Sequence, residues 1–286
     1  MDSRFDRNIR FFGTEGQGRL RNANVTVIGA GGVGSHVIQQ LAFLGVGSIN
    51  VVDTEELAET NRNRYVTCQF SDPVPGTPKV DIAERLIHGI DPGIRVKKIQ
   101  DSLASDLAFE AVIDSDYVFG CVDSEGARLI LTELCAAYAR PYFDSASDIE
   151  DGECPRYGGR VCVAQNGDSC LICLRQLDLE EAQRELGGSE ARRLREAIYG
   201  VTATDLGKTG PSVVSLNGVV ASLAVTEFML DTSGIRKARR LLIYRGDLGK
   251  VLVSQDEPRS DCYYCKNIWG RRDASDVQRY LRSRTI

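Results

Sequence analysis

The most constraining stretch of this chain is residues 24–53, where Asn-Val-Thr-Val-Ile runs directly into Gly-Ala-Gly-Gly-Val-Gly. A short apolar run ending in glycine predicts a strand buried on both faces of a parallel sheet. A helical pattern over residues 35–44 follows, Gly45-Val46-Gly47 stops it, and residues 48–53 read as a second strand. Two strands and a connecting helix within about thirty residues make a βαβ unit. Glycines 29, 31 and 34 allow a tight turn, close approach of backbone N–H groups to a phosphate, and close packing of helix on strand. The whole loop, Gly32 included, is a candidate phosphate cradle. Asp53 ends the second strand, where its carboxylate can accept ribose hydroxyls. Alone, the pattern says nucleotide and does not separate NAD, FAD and ATP.

The alternation continues, with a helix at 79–90 stopped by Asp91-Pro92-Gly93 and a strand at 95–99. A strand at 117–123, a helix at 125–138 and a strand at 141–144 complete the pattern. The fold class is therefore α/β, a Rossmann-like doubly wound, mostly parallel sheet. From about residue 148 the texture changes. Strands at 160–165, 240–244 and 250–254 predict a mixed, antiparallel continuation. Residues 179–199 read as a charged helical excursion and 202–210 as a mobile loop, with Pro211 opening a helix over 212–230. We expect one domain in two halves, residues 1–147 for the nucleotide and 148–286 for a partner. The apolar segment 213–230 is interrupted by Ser215, Asn217, Ser222, Thr226 and Glu227, which predicts a buried helix rather than a membrane span.

A net charge of -5 and a pI near 5.3 argue against a dedicated nucleic-acid binder. The basic tail, residues 266–284, reads as a solvated terminal helix. The charged, polar first ten residues contain no apolar leader, so a cytoplasmic location is expected. The two histidines, His36 and His88, argue against a Ser-His-Asp or Cys-His hydrolase and read as packing or surface residues. Four of the nine cysteines form two C-x-x-C pairs, Cys170/Cys173 and Cys262/Cys265. Four thiolates are the tetrahedral set that structural zinc prefers, with a redox dithiol or plain buried cysteines as alternatives. Cys68, Cys121 and Cys135 read as core residues.

Two further groups bear on the choice of nucleotide. Arg64 and Lys79, with Asn61 as a hydrogen-bonding companion, supply positive charge that a triphosphate needs and a dinucleotide does not. Arg62 reads as a surface residue. Asp123 ends a strand at the edge where α/β sheets bind ligands, so it is either a magnesium ligand or, with Ser124, a cap of the next helix.

In order and spacing, these motifs resemble the ThiF/MoeB/HesA family, prokaryotic relatives of ubiquitin-activating enzymes. Arg4-Phe5-Asp6-Arg7 is similar to the family's R-Y-x-R-Q, with Asn8 in place of Gln. Asn61-Arg62-Asn63-Arg64 resembles N-L-N-R, and Gly76-Thr77-Pro78-Lys79 resembles G-x-P-K. Asp123-Ser124 with Arg128 resembles D-N-x-x-x-R, and the paired C-x-x-C elements resemble the family's zinc site. The resemblance implies an adenylyltransferase that uses ATP and magnesium to activate the C-terminal carboxylate of a small β-grasp protein ending in Gly-Gly. It implies that Asp53 holds ribose, that Asn61, Arg64 and Lys79 hold phosphates, and that Asp123 binds magnesium. It also implies that Arg7 reaches the triphosphate from the other subunit of a homodimer.

Many relatives carry a thioester-forming cysteine in the loop before the late helix. Residues 200–209 contain none, and Cys154 and Cys162 lie outside that loop, so adenylation without an enzyme thioester is expected. The rival readings are adenylation of a peptide or tRNA-nucleoside carboxylate, an NAD-dependent oxidoreductase, and a non-catalytic scaffold. The oxidoreductase leaves Arg64, Lys79 and the cysteine pairs without a task.

Overall fold

Eight strands form one twisted sheet in the order β3-β2-β1-β4-β5-β6-β7-β8. The computed structural model describes residues 3–150, 152, 154–187 and 210–283. Strands β1 (Asn24–Ile28), β2 (Ser48–Val52), β3 (Arg95–Ile99), β4 (Tyr117–Gly120) and β5 (Tyr142–Glu150) run parallel. Strands β6 (Arg156–Ala164), β7 (Leu241–Arg245) and β8 (Lys250–Val253) follow antiparallel. The chain steps from β1 outward to β2 and β3, then returns to place β4 on the other side of β1. That reversal opens a crevice at the carboxyl ends of β1 and β4, the usual ligand position in such sheets.

Helices cover both faces because the parallel strands are apolar on both sides. On one face lie α1 (Asp6–Asn22, interrupted at Gly13), α2 (Gly32–Leu44), α3 (Lys79–Ile90) and α7 (Val214–Ser233). On the other lie α4 (Asp106–Ile113), α5 (Glu125–Ala137) and the cysteine turns. The first core is organised by Phe228 of α7, whose ring meets Tyr117 at 4.9 Å and Phe119 at 5.6 Å, both edge-on. By length and composition α7 could cross a membrane. It lies instead across β5 and β6, with Val220, Ala221, Ala224 and Phe228 fully buried.

The structure moves several expected boundaries. Strand β4 stops at Gly120, because the Cys121 N–H is the last to bond β1, at Ile28 O, 2.8 Å. Asp123 therefore sits in the following loop and not on a strand. Strands β5 and β6 run nine residues each, paired from Tyr142↔Ala164 to Glu150↔Arg156. Their serines and glycines have weak strand propensity, and antiparallel pairing overrides it. Pro211 is not in the first turn of the late helix, which begins at Val214. The terminal basic stretch is no continuous helix. Gly270 and Asp276 take left-handed backbone conformations and divide it into short turns before α8 (Arg279–Ser283). Helices α1 and α4 were not legible, α1 because Gly13, Gly16 and Gly18 break its pattern. Of the charged excursion, α6 (Leu179–Leu186) is helical and ends at Gly187; residues 188–209 lie outside the described residues.

Truncating Phe228 to Ala removes the ring on which three aromatic side chains pack. The expected loss is about 3–5 kcal/mol of unfolding free energy in denaturant titration. A loss below about 1 kcal/mol would show that the site collapses and that this ring does not organise the core.

Candidate active site and cysteine cluster

The glycine turn builds the crevice. Gly29 has a φ of +87°, and a Cβ there would stand 2.5 Å from the Cys121 carbonyl oxygen of β4's extension. A Cβ on Gly34 would collide with the Gly29 carbonyl, so α2 can approach β1 only because this position is bare. The turn thereby delivers the N-terminus of α2, with its unpaired N–H groups, to the carboxyl edge of the sheet.

Asp53 locks the same turn. Its Oδ2 accepts from the Ala30 N–H at 2.7 Å and its Oδ1 from the Glu55 N–H at 2.8 Å. Burial pushes its carboxyl above the ordinary carboxylate range, partly opposed by the positive charge of Lys79 and by these two N–H donors. A cationic or hydroxyl-rich ligand would relieve that cost.

Lys79 opens α3 and is buried to 4% exposure. Its ammonium forms an ion pair with Glu55, a side chain that is itself mostly exposed. Arg64 lays its stem against α2: its Cδ is 3.5 Å from where a Gly32 Cβ would sit. Its guanidinium donates to Thr60 O at 2.5 Å and to Asn63 Oδ1 at 3.2 Å. Asn61 accepts from the Ala58 N–H at 3.0 Å, so it shapes the turn that carries Arg64. Arg62 is a loop fastener, bonded to Glu59, Gln69 O and Asp72 O. Asp53 thus bonds the turn formed by Gly29, Gly31, Gly32 and Gly34, the stem of Arg64 lies along Gly32, the charge of Lys79 acts on Asp53, and Asn61 shapes the turn that carries Arg64.

Asp123 is exposed in the loop after β4. The cap of α5 is Ser124, whose Oγ accepts from the Ala127 N–H at 3.2 Å. Capping therefore does not consume Asp123. A carboxylate that the sequence reading missed, Glu185 of α6, reaches the same helix end. It accepts from Ser124 Oγ at 2.5 Å and from the Gly126 N–H at 2.6 Å.

Arg7 lies elsewhere. Phe5 packs against Gly45 at the far end of α2, and Arg4 pairs with Asp91 at 2.5 Å at the end of α3. The thirteen residues of α2 span about 20 Å at 1.5 Å per residue. Arg7 therefore sits at the amino edge of its own sheet, a helix length from its own glycine turn.

Cys170, Cys173, Cys262 and Cys265 are buried, and their sulfurs all lie within 4.8 Å of one another. Cys170–Cys262 and Cys173–Cys265 are 3.7 and 3.6 Å apart. A tetrahedral zinc with Zn–S bonds near 2.3 Å has S···S edges of about 3.8 Å, so the four residues could form a zinc site. Hydrogen bonds from Cys170, then Cys173 and Cys262, hold the Cys265 thiol below its ordinary range, while the Cys170 thiol is raised. A shared thiolate of this kind is what a metal stabilises further. Cys135 and Cys162 are buried and Cys121 half-buried, with all three thiols pushed up by desolvation, and Cys154 is exposed.

His36 packs over Gly218 and lines an open groove of about 380 Å³ between α2 and α7, away from Asp53 and Lys79. Asn217, fully buried in α7, reaches back to the glycine turn beside Gly32 and bonds Ser147 Oγ at 2.8 Å. The sequence signal for it was a lone amide in an apolar helix.

A doubly wound sheet with this crevice belongs to the nucleotide-binding α/β class. More narrowly, the chain belongs to the ThiF family, which matches residues 5–273. It is similar to the SAMP-activating enzyme E1 of Haloferax volcanii, 33% identical over 162 residues, or 57% of this chain and 57% of that enzyme. It is also similar to the molybdopterin-synthase adenylyltransferase of Escherichia coli, 31% identical over 182 residues, 63% of this chain and 70% of the relative. The match thus spans little more than half the length of the archaeal relative. Among solved structures, E. coli MccB with ATP matches 93% of this chain and 75% of its own at a TM-score of 0.70 and 19% identity, a likeness of fold.

Asp72 beneath this loop accepts both Arg85 guanidinium nitrogens, at 2.6 and 2.7 Å, which holds its carboxyl below the ordinary range. A depressed carboxylate contributes stability above its unfolded pKa and loses it as pH falls through its folded pKa. Arg85→Gln should therefore lower Tm at neutral pH, with the gap to wild type closing under acid. A gap independent of pH down to acid unfolding would contradict the pairing.

Proposed function

We propose that the chain is an ATP-dependent adenylyltransferase that activates the C-terminal carboxylate of a small ubiquitin-like or sulfur-carrier protein. What supports this reading is a pair of cations beside the glycine turn and Asp53: Arg64, whose stem lies along Gly32, and Lys79, whose charge acts on Asp53. Two cations beside a nucleotide loop suit a triphosphate, and family membership points the same way. The archaeal relative is named a SAMP-activating enzyme, and the Thermus thermophilus relative a sulfur carrier protein adenylyltransferase. Residues 1–147 take the nucleotide and residues 148–286 the partner.

In this reading Asp53 accepts the ribose hydroxyls through oxygen lone pairs beyond those used by Ala30 and Glu55. Lys79 exchanges Glu55, an exposed and inexpensive partner, for phosphate oxygens. A carboxylate oxygen of the partner's tail bonds the α-phosphorus, the bond from that phosphorus to the bridging oxygen breaks, and pyrophosphate leaves with its electron pair. Arg64 and Lys79 stabilise the charge on the leaving group, and a tail fixed in the crevice supplies proximity. Magnesium held by the uncapped Asp123 would neutralise further phosphate charge. Zinc held by the four cysteines would tie the late segment to the earlier one. No enzyme thioester is drawn, because residues 200–209, before the late helix, contain no cysteine.

Arg7 completes the reaction from a second subunit, since its own site is a helix length away. Partner-dependent pyrophosphate exchange tests the reading, and Asp123→Ala should abolish it with the fold intact. Mixing inactive Arg7→Ala and Asp123→Ala chains should restore roughly a quarter of the sites, those pairing an intact Asp123 with an intact Arg7. No recovery would place Arg7 in cis or outside the reaction. Exchange driven by a short peptide in place of a β-grasp protein would favour a peptide carboxylate. NAD binding without exchange would favour the oxidoreductase. Removing zinc with a chelator should lower Tm; an unchanged Tm in protein shown to be metal-free would refute the structural-zinc assignment.

A further inference from the structure

A second ionic cluster lies under the same edge, and the adenylation reading leaves it without a task. Asp144, on β5, is fully buried, opposite Gly120 of β4 and Cys162 of β6. Its Oδ1 accepts from Tyr142 OH at 2.9 Å and lies 3.5 Å from Arg128 Nε. Its Oδ2 is ion-paired with Arg160 Nη1. Neither arginine stops there. Arg128 pairs with Glu125 through Nη1, and its Nη2 donates to the carbonyl of Val122 at 2.8 Å. Arg160 donates to the carbonyl of Gln176 at 2.7 Å, three residues beyond Cys173. One buried carboxylate is therefore hydrogen-bonded to Arg160, which grips the chain beyond the first cysteine turn, and is in ion-pair range of Arg128, which grips the residue before Asp123 and whose Nε has no hydrogen-bond partner of its own.

We infer that Asp144 is a positioning residue for Asp123, acting through Arg128 and the Val122 carbonyl; this rests on the reading of Asp123 as the magnesium ligand. The electrostatics explain why a charge is needed. Asp144 and Glu125 balance Arg128 and Arg160, so the cluster is neutral while intact. Without the Asp144 charge, the Nε edge of Arg128 loses its ionic partner whether or not Arg160 is present. Arg128 is then held on one side only, by Glu125 and the Val122 carbonyl, and the loop that carries Asp123 loses its fixed position. The loop's other fastening, Glu185 on Ser124, does not touch Val122 and cannot replace that grip. Outer partners of this kind commonly set metal affinity although they never contact the metal.

The test reads binding without turnover: ATP affinity by titration calorimetry, with and without magnesium, on the whole chain. In the wild type magnesium tightens ATP binding. In Asp144→Asn that gain should fall about tenfold or more, with metal-free ATP affinity held within about twofold. Removing a buried partner also threatens folding. The charge-balanced double variant Asp144→Asn/Arg160→Gln therefore serves as a second case, and it should lose the gain as well. Glu227→Gln breaks the pair between the buried Glu227 of α7 and the half-buried Arg236 beyond it; it should lower Tm and keep the gain. A full magnesium gain in either Asp144 variant overturns the inference. So does an equal loss of gain in Glu227→Gln, or a parallel loss of metal-free ATP binding. A wild type that binds ATP with no magnesium gain removes the Asp123 assignment and this inference with it. A wild type that binds no ATP removes the adenylation reading itself.

Discussion

The close approach of α2 to β1 at the glycine turn is the contact on which the remaining arrangement depends. A methyl group at position 34 would strike the carbonyl of Gly29, and one at position 29 would strike that of Cys121. With both bare, the first turn of α2 reaches the sheet edge, where Asp53 can bond Ala30 and Arg64 can lie along Gly32. Asn217 of α7 packs into the same place from the opposite half of the chain. One steric allowance thus brings together residues separated by nearly two hundred positions.

Charge is then distributed so that the crevice is paired but exchangeable. The strongest buried pairings, Asp144 with its arginines and Glu227 with Arg236, lie beneath or away from the opening. The pairing at the opening, Lys79 with Glu55, joins a buried cation to an exposed carboxylate that water can readily resolvate. A phosphate ligand would therefore displace a weak partner, while the deeper network keeps its geometry. The cysteine cluster plays a comparable part on the other face, where it closes the late turns onto α5 and its surroundings.

Much of this was legible in the chain. The strand–glycine–helix–strand order, the two C-x-x-C pairs and the limits of α3 and β3 follow from short-range patterns, and the structure reproduces them. Arg62 read as a surface residue, but its side chain is only 18% exposed and ties its loop together through Glu59, Gln69 and Asp72. The family resemblance rested on the same local motifs, and residues 5–273 match that family.

What local pattern determined, then, is which elements form and which chemistry each carries, since periodicity, glycine turns and cysteine spacing act over a few residues. What only the tertiary structure decided is who meets whom. It gave the cap of α5 to Ser124 and left Asp123 exposed beside it, set Glu185 on the end of α5, and buried Asp144 between two arginines. It also carried Arg7 to the far edge of the sheet. These outcomes depend on register and on helix packing between distant segments, whose energies are summed over the whole core and leave no mark in any short window of sequence.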